Sequence, residues 1–130
     1  MANPLLNLAT TVYAGNAGWN LSNTLTSTLL TVDAEHLVKI NTIICANVDG
    51  SSAADLSLYI NGMGSGASGV TTTGANASVY LAKTVSVPAD STLVILDSPI
   101  YLMEGDELRG GASATGDLDL FISYEIFDDA

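Results

Sequence analysis

An all-β domain, an antiparallel β-sandwich of jelly-roll-like type, is the fold class this sequence predicts, and three observations predict it. Apolar residues recur at every second position through several segments, which puts one set of side chains on a core face and the other outside. Short clusters of Gly, Pro, Asp and Asn interrupt those segments at regular intervals. Lys, Arg, Gln and Glu, the usual residues of helix surfaces, are nearly absent, while β-branched residues abound. No stretch keeps helical spacing over ten residues.

Eight or nine short strands follow, over 9–13, 24–32, 36–48, 54–61, 77–87, 92–96, 99–103, 107–114 and 118–126. The third run presents Val38, Ile40, Thr42, Ile44, Ala46 and Val48 on one face. In the fourth, Leu56, Leu58 and Ile60 alternate with Asp55, Ser57 and Asn61. The last sets Leu118, Leu120, Ile122, Tyr124 and Ile126 against Asp117, Asp119, Ser123 and Glu125. Turns are expected at Ala14-Gly15-Asn16-Ala17-Gly18, Asp33-Ala34-Glu35, Asp49-Gly50-Ser51-Ser52, Pro88-Ala89-Asp90, Asp97-Ser98-Pro99, Glu104-Gly105-Asp106 and Thr115-Gly116, where the residues supply left-handed or pre-set dihedrals. The Gly62–Gly74 stretch reads as a long loop.

The 130 residues fit a single domain spanning 1–130, with 1–23 a candidate N-terminal arm that reaches over a neighbour. Charged residues are 13% of the chain, about half the ~25% of an ordinary soluble domain. Three basic residues, Lys39, Lys83 and Arg109, face fourteen acids, for a net charge of −11. A phosphate backbone is bound by cations that displace its counterions, so nucleic acid is excluded as a partner. No apolar run approaches the ~18 residues of a membrane span, and the N-terminus lacks a signal-peptide pattern. The expectation is a chain made in a cytosol with no membrane partner.

Chemistry finds little support. His36 is the single histidine, the usual base of a hydrolytic triad, but it stands in an Ala-Glu-His-Leu turn at the head of a strand and reads as a turn or strand-edge residue. Cys45 alternates within an apolar strand and reads as a small core hydrophobe. Gly64, Gly66 and Gly69 spell the dinucleotide spacing but run into Val70-Thr71-Thr72-Thr73, where the helix that motif needs is disfavoured. The turn acids Glu104, Asp106 and Glu107 lack the spacing of a calcium loop. No catalytic residue, cofactor or metal is therefore expected.

The outer faces carry the functional signal. Ile43, Cys45, Tyr59 and Phe121 fall where a solvated sheet would place Thr, Lys or Glu. Either the chain covers these positions itself or a neighbouring subunit does, and the scarcity of surface charge favours assembly. Trp19, Tyr59 and Phe121 are the candidate contacts with a neighbouring subunit.

The C-terminal part resembles a known group of proteins. Pro88-Ala89-Asp90, Pro99-Ile100-Tyr101-Leu102, Glu104-Gly105-Asp106, Ala112-Ser113-Ala114 and Ser123-Tyr124-Glu125 follow one another as in small β-sandwich virion structural proteins of tailed bacteriophages, notably marine and cyanobacterial ones. The Ala46-Asn47 strand end and the Asp55–Asn61 strand are similar too, so about half the chain is covered; residues 1–23 are not. The resemblance implies a non-enzymatic virion component. As a capsid decoration (cement) protein it would bind the shell as a trimer or other small oligomer, its partners being its own copies and the major capsid protein. A neck or tail component is the alternative within that class. A module that binds host-surface glycan through the Gly62–Gly74 loop is the alternative outside it.

Overall fold

The computed structural model describes residues 11–62, 73 and 77–128. Nine strands and no helix are found among them: β1 (Thr11–Asn20), β2 (Thr28–Thr31), β3 (His36–Asn47), β4 (Ala54–Asn61), β5 (Ser78–Val87), β6 (Thr92–Leu96), β7 (Ile100–Leu102), β8 (Glu107–Ala112) and β9 (Leu118–Asp128). They form two antiparallel sheets. One runs β1-β9-β3-β6, with β7 also paired to β3, and the other runs β2-β8-β4-β5. The chain passes from one sheet to the other at every connection except β4–β5 and β6–β7. This is the β-sandwich expected from the alternation.

The core lies between the sheets. Val38, Ile40, Ile43, Cys45, Leu118, Leu120 and Ile122 come from the five-stranded sheet, and Leu56, Leu58, Ile60, Val87, Leu108 and Ala112 from the other. Burying each such side chain is worth roughly 1.5–3 kcal/mol, which makes this layer the main source of stability. The inward sets of β4 and β9 are those the sequence predicts.

Strand β3 departs from the expectation. Val38 and Ile40 face the core, but past a register shift between Ile40 and Thr42 the core side passes to Ile43 and Cys45, both fully buried. A β-bulge adds one residue to a strand and inverts the facing of everything beyond it. Ile44 and Ala46 therefore lie on the outer face, and Ile43 and Cys45 are covered by the chain's own second sheet.

The N-terminal segment also differs. The Ala14–Gly18 stretch, expected to turn, is the middle of β1, which pairs with β9 from Thr11↔Asp128 to Asn20↔Asp119. Its glycines serve close approach: a Cβ on Gly15 would sit 2.8 Å from the Tyr124 ring. Residues 11–20 are thus part of the sandwich, and of the candidate arm residues 1–10 lie outside the described residues.

Several of the remaining expected turns contain residues in the left-handed region, which glycine adopts without strain and Glu35 does not. Glu35, Asp90, Gly105 and Gly116 all have positive φ, with Gly105 at 85° in the tight turn that carries the chain from β7 to β8 in the other sheet. Two of these turns brace each other: the Glu35 N–H donates to Glu104 Oε2 at 2.7 Å, and the Gly105 N–H to the Val32 carbonyl at 2.9 Å. Asn47 anchors the β3–β4 connection. It is buried, and its Nδ2 donates to the Val87 carbonyl at 2.8 Å and the Ser52 carbonyl at 3.0 Å.

Candidate functional site

The outer face of the five-stranded sheet carries an apolar row running across four strands. Gly18 of β1 is registered with Phe121 of β9, Phe121 with Ile44 of β3, and Ile44 with Val94 of β6. Val94 is 58% exposed and Phe121 39%. The row arises because Phe121 stands between the polar Asp119 and Ser123 on the outward side of β9, and because the β3 bulge turns Ile44 outward. Small residues beside it, Gly18 and Ala46, leave a depression of about 350 Å³. Phe121, Ile44 and the Trp19 and Leu120 segments line its apolar part, and Asn20 and Asp119 form a polar rim. That rim is fixed: Asn20 Nδ2 donates to Asp119 Oδ1 at 2.7 Å and to the Gly116 carbonyl at 3.0 Å.

The three residues expected as contacts are placed differently from one another. Phe121 stands out on the face. Trp19 borders the same depression, but its side chain packs against the core opposite Leu120. Tyr59 is on the other sheet and only 8% exposed.

Around Tyr59 the outer face of the four-stranded sheet is aromatic and charged. The Tyr59 and Tyr80 rings lie 5.2 Å apart at 45°, and Lys83 Nζ is 5.2 Å from the Tyr80 centroid. Arg109 Nη2 meets Glu107 Oε1 at 2.8 Å, and the same oxygen accepts from Asn61 Nδ2 at 3.0 Å. The Asn61 amide, then Arg109, hold the Glu107 carboxyl below the usual carboxylate range; Tyr59, then Glu107, hold the Arg109 guanidinium above its own. Arg109 and Glu107 thus neutralise each other on the surface, leaving Lys83 as the outward cation of this face among the described residues.

Ile44, Val94 and Tyr80 escape the sequence reading. A signal for Ile44 is present: Asn41 and Thr42 are consecutive polar residues inside an alternating run, the mark of a phase change. Val94 and Tyr80 follow only from register.

The titratable groups are engaged structurally. Burial, and then the Asp119 charge, push the Cys45 thiol up to about 11, which removes the thiolate a nucleophile needs. His36 Nδ1 lies 2.7 Å from the Ala34 carbonyl oxygen, and Nε2 is 3.7 Å from Asp128 Oδ2. Glu104, Asp106 and Glu107 bind three different partners, and no group of three metal-ligating side chains converges among the described residues. The Gly62–Gly74 loop falls largely outside them, with residues 63–72 and 74–76.

Asp106 is the exception among the acids, being buried. Its Oδ2 accepts from the Met103 N–H at 2.9 Å, while Oδ1 finds no partner among the described residues. Burial pushes its carboxyl up, outweighing the Met103 bond, which acts the other way. With the folded value above the unfolded one, the stability this group contributes is complete below the unfolded value of ~4 and is lost as pH rises through the folded value. Asp106→Asn keeps the acceptor and removes the charge, so the variant should gain on the wild type as pH rises from 4 to 7. Asp106→Ala leaves the Met103 N–H without its acceptor and should cost about 1–3 kcal/mol across that range. Urea unfolding at a series of pH values measures both; an advantage of the Asp106→Asn variant that stays flat with pH would contradict the assignment.

A small all-β sandwich with an apolar outer face is the class that fold and surface define. No protein-family model matches the chain, and no curated protein matches it. Solved structures do. The chain is similar to a subunit of Bacillus endospore appendages, described as disulfide-linked pili, at 9% identity and TM-score 0.42, covering 92% of this chain and 88% of that one. It is also similar to the VP2 chain of the infectious bursal disease virus subviral particle, at 13% identity and TM-score 0.38, covering 93% of this chain and 34% of that one. A structure of the Gt strain of that virus gives 11% identity and TM-score 0.31, again with about a third of its chain covered (33%). No helix among the described residues is long and apolar enough to cross a membrane.

Proposed function

We propose that this chain is a non-enzymatic structural protein of a virion, and within that class a capsid decoration protein that binds the shell through the outer face of its five-stranded sheet. The observation that carries this reading is the exposed row Gly18, Phe121, Ile44 and Val94. An exposed apolar strip on a sheet face costs solubility unless something covers it. Aromatic residues at the centre of such strips supply much of the binding energy of protein interfaces. The bacteriophage resemblance of the C-terminal strands points to the same class. The residues that could have argued for catalysis, His36 and Cys45, are held in structural roles.

The test uses heads and tails assembled without the chain from the genome that encodes it. The purified chain should bind heads to saturation and raise their melting midpoint. Phe121→Asp, at an exposed position, should weaken that binding at least tenfold, or ~1.4 kcal/mol, without altering the fold. Binding to tails alone would move the protein to the neck or tail. Absence of binding to either, with a positive glycan array, would replace the structural reading by the glycan-binding one.

A further inference from the structure

We infer that the outer edge of β1 is a pairing surface for β1 of a second copy, giving a two-fold dimer in which the five-stranded sheets join into one. The inference goes beyond shell binding and stands without it. A sheet edge presents unpaired N–H and C=O groups, and proteins that stay apart guard their edges with short strands, bulges, Pro or inward and edge charges, Lys above all. Four edges of this sandwich can be compared. In the smaller sheet, β2 is four residues long with a register shift between Thr28 and Leu30. On its far side, β5 carries Lys83, a Thr84 at positive φ, and two register shifts against β4. In the larger sheet, β7 is three residues long, and β6 is five with a shift in its pairing to β3.

β1 has none of these devices. It runs ten residues, Thr11–Asn20, in unbroken register with β9, and contains no Pro and no charged side chain. Beyond it no further strand is found among the described residues. Charge singles it out again. In a chain of net charge −11, copies can approach only where acids are absent. β1 itself carries none: Asp119, Glu125 and Asp128 lie one strand inward on β9, and Asp33 borders a depression beside Tyr13. Across a β1–β1 pair the two β9 strands would be separated by about three strand spacings, roughly 14 Å. That exceeds the ~8 Å screening length at physiological salt.

The occupant follows from the comparison. The edge left unguarded on a second copy is its own β1, and two identical strands pair antiparallel about a two-fold axis, which closes the assembly at a dimer. Directly opposed residues of antiparallel strands share a face, so the axis passes through a residue. Mid-strand, that residue is Gly15 or Asn16.

Sedimentation velocity should give a species of twice the 13.3 kDa chain mass at physiological salt. Asn16→Glu and Asn16→Lys each bring like charges together on one face, directly opposed about an Asn16 axis and diagonal about a Gly15 axis, and each should weaken the dimer more than tenfold with the circular dichroism unchanged. Asn16→Cys alone, or mixed with Ala14→Cys, should form a disulfide-linked dimer on mild oxidation. Cys45 is fully buried and does not compete. A monomer at every concentration and salt would overturn the inference. So would a trimer, or a dimer indifferent to both Asn16 charges. Association lost on deleting residues 2–10, with no cross-link at position 16, would assign the edge to a neighbour's N-terminal segment instead. Cross-linked dimers that fail to bind heads would refute the shell reading and leave this one intact.

Discussion

Gly110→Ala is expected to destabilise the chain by about 3 kcal/mol or more and to lower its urea midpoint sharply. Gly110 of β8 is registered with Leu58 of β4, at the centre of the smaller sheet. A Cβ placed on it would collide with the Ser57 carbonyl oxygen and lie 3.0 Å from the Leu58 Cα. Both obstacles are backbone, so no rotamer change relieves them. Neither strand is free to move aside, since β4 is tied to β5 and β8 to β2 on their other edges. Overpacking of this kind costs about 3 kcal/mol or more, a large part of the ~5–15 kcal/mol that holds a domain of this size together. Gly111→Ala should fail in the same way, because its Cβ would lie 2.5 Å from the Thr24 carbonyl oxygen. Gly50→Ala is the control: its nearest neighbour would be the Asp90 carboxylate at 3.6 Å, ordinary contact, and the change should stay within about 0.5 kcal/mol. Urea midpoints decide the matter, and a Gly110→Ala midpoint equal to the wild type would mean the two strands can separate.

These glycines also mark where sequence reading reaches its limit. Glycine in a turn and glycine under a neighbouring chain look alike in a sequence. Gly105 and Gly116 stand beside acidic or small polar residues between two alternating runs, and their turns were legible. Gly15 and Gly18 look no different, yet Gly15 makes room for the Tyr124 ring and both sit in a strand. The difference lies in a residue more than a hundred positions away. Of the surface, Phe121 was legible because it breaks the polar side of a clean alternation. The same rule puts Tyr59 on an outer face, where it is only 8% exposed, and the Tyr80 ring beside it is supplied by register across the β4–β5 pair. The unguarded edge of β1 is not legible at all in a sequence whose glycines there spell a turn.

Ile43→Ala should cost about 2–5 kcal/mol and Ile44→Ala less than about 1, although the two residues are adjacent and chemically identical. Strict alternation from Val38 predicts the reverse order, with Ile44 inside. The structure puts Ile43 at 0% exposure in the layer between the sheets, so truncating it removes buried methyl groups and leaves a cavity that the second sheet cannot fill. Ile44 lies beyond the bulge on the outer face, against Phe121 and Val94, where solvent fills the space left by truncation. The physical origin of the inversion is local. Two polar residues, Asn41 and Thr42, follow one another where alternation allows one, and looping out the extra residue keeps both away from the core. Asn41 then meets Glu125 across β9, its Nδ2 donating to Oε1 at 3.2 Å. The pair of variants separates stability from function as well: Ile43→Ala should lower the urea midpoint with shell binding retained by the folded fraction, and Ile44→Ala should keep the midpoint and weaken binding. Equal losses of stability at the two positions would place the bulge elsewhere in β3 and take Ile44 out of the apolar row.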